Sequence, residues 1–439
     1  MRWLGNLCLW ATALSSALVD FPLSFGQGKP RELGEIVTVA RRGEVPRHMV
    51  AGSVSVITEK DLARSRQPLL YDALRRVAGL RIARTGGPGQ PAKLYLRGAE
   101  PRQTVILFDG VSLRSPNDAN GYALGTLSTA NIERIEILRG AQSSLYGPDA
   151  AGGVINVVTK RGGVKPSGVF SVEGGSMNTL RTTWTTTASR GRLNYSFVSD
   201  HFETEGVSAA RSGTEPDPYE NDYMQGRLDY EVSQGSRLSI FGFRTDVSSD
   251  TDAAATLDLS APSKERNYLL RGQWEFGLQP SAWDSTVGFA RKSFYSADGF
   301  GSSYQGYSTE FDWRVVGEVS DYLSVGAGLE RSNDRGKQKL AWNPDQDVSL
   351  RTWASYINGR LELSDSFFTE IAVRRDENNR YGGETTGKVA FSRDWGPNGR
   401  AFGSVGTFFV APNAFYLANA KSLNSLKPET GVGIDCGVV

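Results

Sequence analysis

The amino-acid sequence predicts a mainly β chain: a small α+β unit in its N-terminal part, then, from Ser167 onward, a run of antiparallel strands with the character of a transmembrane β-barrel. Three observations carry this. Apolar and polar residues alternate with period two: Leu193, Tyr195 and Phe197 against Arg192, Asn194 and Ser196; Tyr268, Leu270, Gly272, Trp274 and Phe276 against Leu269, Arg271, Gln273 and Glu275. Met224 to Val232 and Trp353 to Leu363 repeat the pattern, so each strand has one lipid-compatible face and one wet face. Short turns (Ser189-Arg190-Gly191, Ser233-Gln234-Gly235, Ser364-Asp365) alternate with long polar loops expected at about 204–221, 246–265, 296–304 and 333–348. Finally, no interior run reaches the roughly 18 apolar residues of a membrane helix, which excludes a helical membrane protein but not a β-barrel.

Composition narrows the function classes. The net charge of +1 over 439 residues argues against nucleic acid as a partner, because such binders carry a basic excess. The two histidines, His48 and His201, have no evident nucleophile partner, and no enzyme constellation or zinc-ligand spacing is present. Arg2 followed by the apolar stretch Trp3–Val19 and the small-x-small Ser24-Phe25-Gly26 reads as a signal peptide over residues 1–26. Cys8 falls within it, so once the signal is removed Cys436 has no partner and the fold rests on packing and strand pairing.

Taken in order, Leu33–Arg42 is an acid followed by a short β-prone run, suited to strand addition on the sheet edge of a partner. Ser53–Thr58 reads as a strand, and Thr58 with Asp61 forms a capping box that opens a helix. A second helix is expected over Leu69–Val77, ending at Gly79. Strands follow at Leu80–Arg84, Lys93–Gly98 and Thr104–Val111, the last two closing on turns. The cluster Gly86-Gly87-Pro88-Gly89 lacks the Lys-Ser/Thr of a phosphate loop and precedes no helix, so that reading is rejected. Asn131–Lys160 organises the unit. Ile132, Ile135 and Ile137 stand among Glu133, Arg134, Glu136 and Arg139, charges that must find partners if the strand is covered, and Val154–Thr159 reads as a buried strand.

This stretch resembles the end of the plug domain of TonB-dependent outer-membrane receptors, in which Glu-Arg-Ile-Glu-Ile-Leu-Arg-Gly (133–140), Leu-Tyr-Gly (145–147) and Gly-Gly-Val-Ile-Asn-Val-Val-Thr-Lys (152–160) occur in this order. The resemblance implies an α+β plug inside an antiparallel transmembrane barrel, with about 14 of an expected 22 strands present. It divides the chain into signal (1–26), TonB box and linker (27–50), plug (51–165) and partial barrel (166–439). Ala411-Pro412-Asn413 and Leu426-Lys427-Pro428-Glu429 match family landmarks normally found well before the C-terminus, so a truncated chain is expected.

The resemblance also implies roles. Glu35, Ile36, Val37, Thr38, Val39 and Ala40 occupy the TonB-box position, gripped by the energy-transducing partner TonB. Gln90, Asn117, Asn120 and Tyr122 lie on the loops that form the plug apex and supply hydrogen-bonding and stacking groups for a ligand. Arg97 and Arg139 fit the family's Arg-Gly signatures; if buried they would need a carboxylate such as Glu133 or Glu136. Asp246, Asp250, Asp252 and Asp258 lie in one acidic stretch and are candidates for structural calcium. The implied function is energised uptake of a scarce metal chelate or vitamin, cobalamin or a ferric siderophore, across the outer membrane, with membrane lipid and the barrel assembly machinery as further partners. The alternative is a non-transporting remnant or a signalling or adhesive surface protein.

Overall fold

A computed structural model describes residues 36–39, 42, 45–116, 124–163, 165–210, 213–254, 257–277, 283–341, 344–364, 366–395, 399–419 and 426–438. The N-terminal unit begins with a short pair, β1 (Ile36–Val37) against β2 (Val45–Pro46). It continues through β3 (Val54–Thr58), α1 (Glu59–Ser65), α2 (Leu70–Leu74), β4 (Leu80–Arg84), β5 (Ala92–Leu96), β6 (Thr104–Phe108), β7 (Val111–Ser112), β8 (Ile132–Arg139), α3 (Ser143–Tyr146) and β9 (Gly153–Thr159). The capping box forms as expected: the Thr58 side chain accepts from Asp61 N while Asp61 accepts from Thr58 N. α2 is shorter than the expected Leu69–Val77, yet Leu70, Ala73 and Leu74 are buried together.

A five-stranded sheet in the order β3-β8-β9-β6-β7 forms the centre of the plug, antiparallel except for the β6–β9 pair. Asp109 and Gly110, both at positive φ, close the β6–β7 hairpin, the Asp-Gly chemistry that a two-residue turn requires.

The barrel part is a 14-stranded antiparallel sheet in which every strand pairs with its sequence neighbours. Its strands are β10 (Ser167–Gly175), β11 (Thr179–Arg190), β12 (Leu193–Thr204), β13 (Tyr219–Ser233), β14 (Ser236–Ala254), β15 (Leu257–Gly277) and β16 (Trp283–Ala297). They continue through β17 (Ser303–Ser320), β18 (Leu323–Lys339), β19 (Gln346–Ser364), β20 (Phe367–Asn378), β21 (Gly382–Asp394), β22 (Arg400–Val410) and β23 (Glu429–Val438). β10 and β23 do not pair with each other, so among the described residues the sheet has two edges.

Two expected loops are largely strand. Residues 246–265 belong mostly to β14 and β15, and much of 333–348 belongs to β18 and β19. The sheet ladder continues past the bilayer here: a strand needs about 9–11 residues to span it, and β15 has 21. Polar residues on both faces of these extensions suggest loops to a sequence reading, although cross-strand pairing satisfies their backbone groups.

Plug and barrel share a core. Tyr71, Leu74, Ile106, Phe108, Ile135 and Ile155 of the plug pack in one cluster with lumen-facing Phe202, Tyr219, Tyr223, Phe241 and Phe243. Phe108 meets Phe243 edge-on at 4.9 Å. The outward faces carry Leu228, Leu270, Trp274, Phe289, Ile357 and Ile371 exposed, the apolar belt expected of a barrel exterior.

Candidate functional site

The N-terminal segment is bound inside the molecule. Val37 and Val39 are fully buried, and Glu136, on the central strand β8, is buried beside them. One Glu136 oxygen accepts from the backbone N–H of Thr38 at 2.9 Å and of Val39 at 2.8 Å. The Thr38 hydroxyl donates to the same carboxylate at 3.1 Å, and Arg134 Nε donates to its other oxygen at 2.8 Å. Strand alternation explains the pair: Arg134 and Glu136 are two residues apart and share a face.

Two further groups complete the grip. Asn156, opposite Glu136 in the β8–β9 register, donates to the Thr38 hydroxyl at 3.0 Å and accepts from Gly110 N at 3.2 Å, which fixes its amide. Tyr146 at the end of α3 donates its hydroxyl to the Val39 carbonyl at 2.7 Å. Burial pushes the Tyr146 phenol well above its ordinary range, so it keeps its proton for this bond at physiological pH.

Immediately beyond, the Arg42 guanidinium lies over the Tyr146 and Tyr356 rings at 4.7 and 5.1 Å and is ion-paired with Glu330 of β18. Glu330 also accepts from Arg374 at 2.7 Å, and Arg374 reaches back to the Leu145 carbonyl at 3.2 Å. The segment is therefore tied to the plug through its backbone and to the barrel wall through Arg42. Thr38, Arg42 and Arg134 line a cavity of about 1050 Å3 between the plug and the lumen face of the barrel; Arg227, Arg271 and Asp312 line the wall opposite.

Of the residues expected to form a TonB box, Ile36–Val37 form β1, Thr38 and Val39 make the contacts above, and Glu35 and Ala40 lie outside the described residues. The expected partners of the two Arg-Gly arginines are not Glu133 or Glu136. Arg139 is three residues from Glu136, hence on the opposite face of β8, and donates to Ser55 Oγ and the Ala78 carbonyl at 2.9 and 2.8 Å. Arg97, in a turn where it and Gly98 both have positive φ, points outward to Asp435 of β23 at 2.6 Å. Glu133 pairs with Arg134.

Of the residues expected at the plug apex, Gln90 is buried and donates to the Asp250 carbonyl of β14 at 2.9 Å, so this loop is docked on the barrel wall. Asn117, Asn120 and Tyr122 lie outside the described residues. The acidic residues are spread along strands. Asp246 on β14 is held by Arg244 and Arg266, and Asp250, four residues on, is roughly 13 Å away by strand rise. The side chains of Asp252 and Asp258 are not among those described.

Sequence reasoning missed several plug–barrel ties. Asp149, at positive φ in the turn after α3, pairs with Arg114 at 2.9 Å and accepts from Ala411 N at 3.1 Å, which gives the Ala411-Pro412-Asn413 landmark a docking role. Burial raises the Asp149 carboxyl, against the opposing pull of Arg114. Buried Lys292 joins the Ser112 carbonyl at 2.8 Å to Glu310 at 2.5 Å. No local signal marks such ties: in the sequence Lys292, between Arg291 and Ser293, reads as an ordinary polar residue of the strand, and only the structure shows it buried.

A plug whose N-terminal strand is clasped in the lumen of an amphipathic barrel defines a plugged outer-membrane receptor. Residues 46–154 match the TonB-dependent receptor plug domain and residues 165–439 the TonB-dependent receptor-like β-barrel, and the chain belongs to this family. It is an outer-membrane protein. Among solved structures it is similar to the siderophore receptor PirA from Acinetobacter baumannii (18% identity, TM-score 0.71, covering 88% of this chain and 68% of that one). It is also similar to the ferripyoverdine receptor of Pseudomonas aeruginosa (15%, 0.75, 98% and 68%) and to the alcaligin receptor FauA from Bordetella pertussis (15%, 0.73, 92% and 70%). The chain thus spans about two thirds of the length of these receptors.

Proposed function

We propose that the protein serves energised import of a scarce metal chelate or vitamin, with the segment Glu35–Ala40 as the handle for TonB and the plug as the gate. The observation that carries this reading is the hold on Thr38 and Val39: a short β-prone strand bound through its own backbone N–H groups by a buried carboxylate. Backbone groups held by a side chain are the groups a partner strand would take over by β-addition. The ligand meets the apex loops around residues 86–90 and 114–122. Between ferric siderophores and cobalamin, the ligands named for the solved receptors that share the fold support the iron-chelate branch.

Deleting residues 33–42 from the full chain tests the reading. In cells lacking other receptors of this kind, uptake of 55Fe from a panel of ferric siderophores, and of labelled cobalamin, is expected to fall to background. Uptake that survives the deletion overturns energised import.

A further inference from the structure

We infer that the outward rim of β12 and β13 carries a binding site for a divalent metal ion of the zinc class, built from His201, Glu220 and Asp222 with Glu203 in reach. The observations concern the barrel exterior and do not depend on the import reading.

Strand alternation brings the four residues to one face. On β12 Asp200, Phe202 and Thr204 are buried on the lumen side, so His201 and Glu203 point outward. On β13 Tyr219, Asn221 and Tyr223 are buried, so Glu220 and Asp222 point outward. The register sets His201 directly opposite Asp222 and Glu203 directly opposite Glu220. His201 Nδ1 stands 2.9 Å from Asp222 across the ladder, and its Nε2 3.7 Å from Glu203 along its own strand. One ligand atom from each of His201, Glu220 and Asp222 lies within 4.8 Å of the other two. Zinc bonds of about 2.0–2.2 Å place tetrahedral ligand atoms about 3.4 Å apart. The side chains therefore close on an ion by about 1.4 Å at most, a shift that rotation of the exposed Glu220 and Asp222 supplies.

The charge arrangement calls for a cation. Two glutamates directly opposite each other on a sheet repel, and here the cross-strand pair Glu203–Glu220 adjoins a third carboxylate, Asp222. Among the described residues no Lys or Arg lies within ion-pair distance of these three; the imidazole is their one basic neighbour. Neighbouring cations are committed elsewhere: Arg181 turns to Asp200 on the lumen side at 2.7 Å, while Arg244 and Arg266 both hold Asp246. A protonated imidazole offsets one of three negative charges, whereas a divalent ion offsets two and is met by an imidazole nitrogen. The nitrogen ligand sets the class of metal, because imidazole suits zinc, copper and nickel, and calcium or magnesium takes oxygen alone.

The position suits an ion drawn from the water outside. One outward step towards the bilayer, Ser199 stands between Trp184 and Met224, both exposed in the apolar belt, so the cluster begins where that belt ends. Thr204 and Tyr219 close the β12–β13 ladder just beyond Glu203 and Glu220, so an ion held by both strands fastens the base of the connection 205–218. Ala209 of that connection lies against Gly86 of the plug, where a side chain on Gly86 would meet it.

The test is calorimetric titration of the untagged, chelator-stripped full chain in detergent with Zn2+, in the presence of excess Ca2+. One zinc site is expected, undisturbed by Ca2+. His201→Gln, and separately Glu220→Gln/Asp222→Asn, are each expected to weaken it at least tenfold. His48→Gln/Cys436→Ser, which removes the other imidazole and the exposed thiol, should leave it unchanged. No zinc site, displacement by Ca2+, unaltered affinity in His201→Gln, or loss in His48→Gln/Cys436→Ser overturns the inference. Circular dichroism of each variant separates loss of the site from loss of the sheet.

Discussion

Substituting Glu136→Gln isolates the hold on the N-terminal segment. The carboxylate is acceptor-only and satisfies donors on both sides: Thr38 N and Val39 N on one oxygen, Arg134 Nε on the other. A glutamine of the same shape keeps one acceptor oxygen. Whichever way it is turned, its NH2 faces either Arg134 or the two backbone N–H groups, donor against donor. Hydrogen bonds to a charged group contribute about 1.5–3 kcal/mol each, so the segment is expected to lose about 3 kcal/mol of its hold, on the order of a hundredfold in the equilibrium for release. The assay is hydrogen exchange with mass spectrometry on the full chain, following a peptide that covers residues 36–42. Exchange there should accelerate by that order, while β9, whose ladder does not involve Glu136 side-chain atoms, stays protected. Unchanged exchange at 36–42 would refute the reasoning, and equal acceleration at β9 would show that Glu136 supports the whole plug and not the segment.

Other outcomes follow from the same geometry. Tyr146→Phe removes one neutral bond to the Val39 carbonyl and should release the segment by only about fivefold, roughly 1 kcal/mol, in the same exchange assay. If release precedes capture, Glu136→Gln should also tighten binding of the isolated periplasmic domain of TonB in proportion to the released fraction, measured by titration calorimetry. Lys292→Met leaves Glu310 facing the plug without its cation and should cost about 3–5 kcal/mol, read as a lower midpoint of thermal unfolding in detergent. The capping box on α1 gives a pH dependence. The Thr58 hydrogen bonds hold the Asp61 carboxyl below its ordinary 3.8, so its stabilisation is present above that value and is lost as pH falls through the lower folded value. Protection of the 59–65 amides should therefore drop in acid in the native chain and be pH-independent in Asp61→Asn.

Much of this architecture was legible locally. Period-two patterning gave the barrel strands because burial on one face and lipid on the other act on single residues, and Thr58 with Asp61 announced α1 because a capping box spans one turn. The requirement that the charges in β8 be paired was also legible, but not the pairing. Arg134 rather than Arg139 meets Glu136, a consequence of strand alternation that the sequence already contained. The hold on Thr38 was beyond local reading, since its partner is 98 residues away and neither residue announces the other. The same applies to Arg42 with Glu330 and to Asp149 with Ala411, where a plug residue meets a barrel strand far along the chain. The extended β14 and β15 were misjudged for a different reason: outside the bilayer a paired strand needs no apolar face, so its pattern loses the alternation on which the reading relied.

The central claim is that the segment must leave its place against Glu136, Asn156 and Tyr146 for import to proceed. The most direct measurement uses Thr38→Cys/Asn156→Cys in the full chain, at two side chains in contact at 3.0 Å, bridged by a short bifunctional methanethiosulfonate. Uptake of 55Fe-siderophore or labelled cobalamin should stop on bridging and return when the bridge is reduced, with either single variant unaffected by the reagent. Undiminished uptake with the bridge shown intact by mass spectrometry would contradict the account.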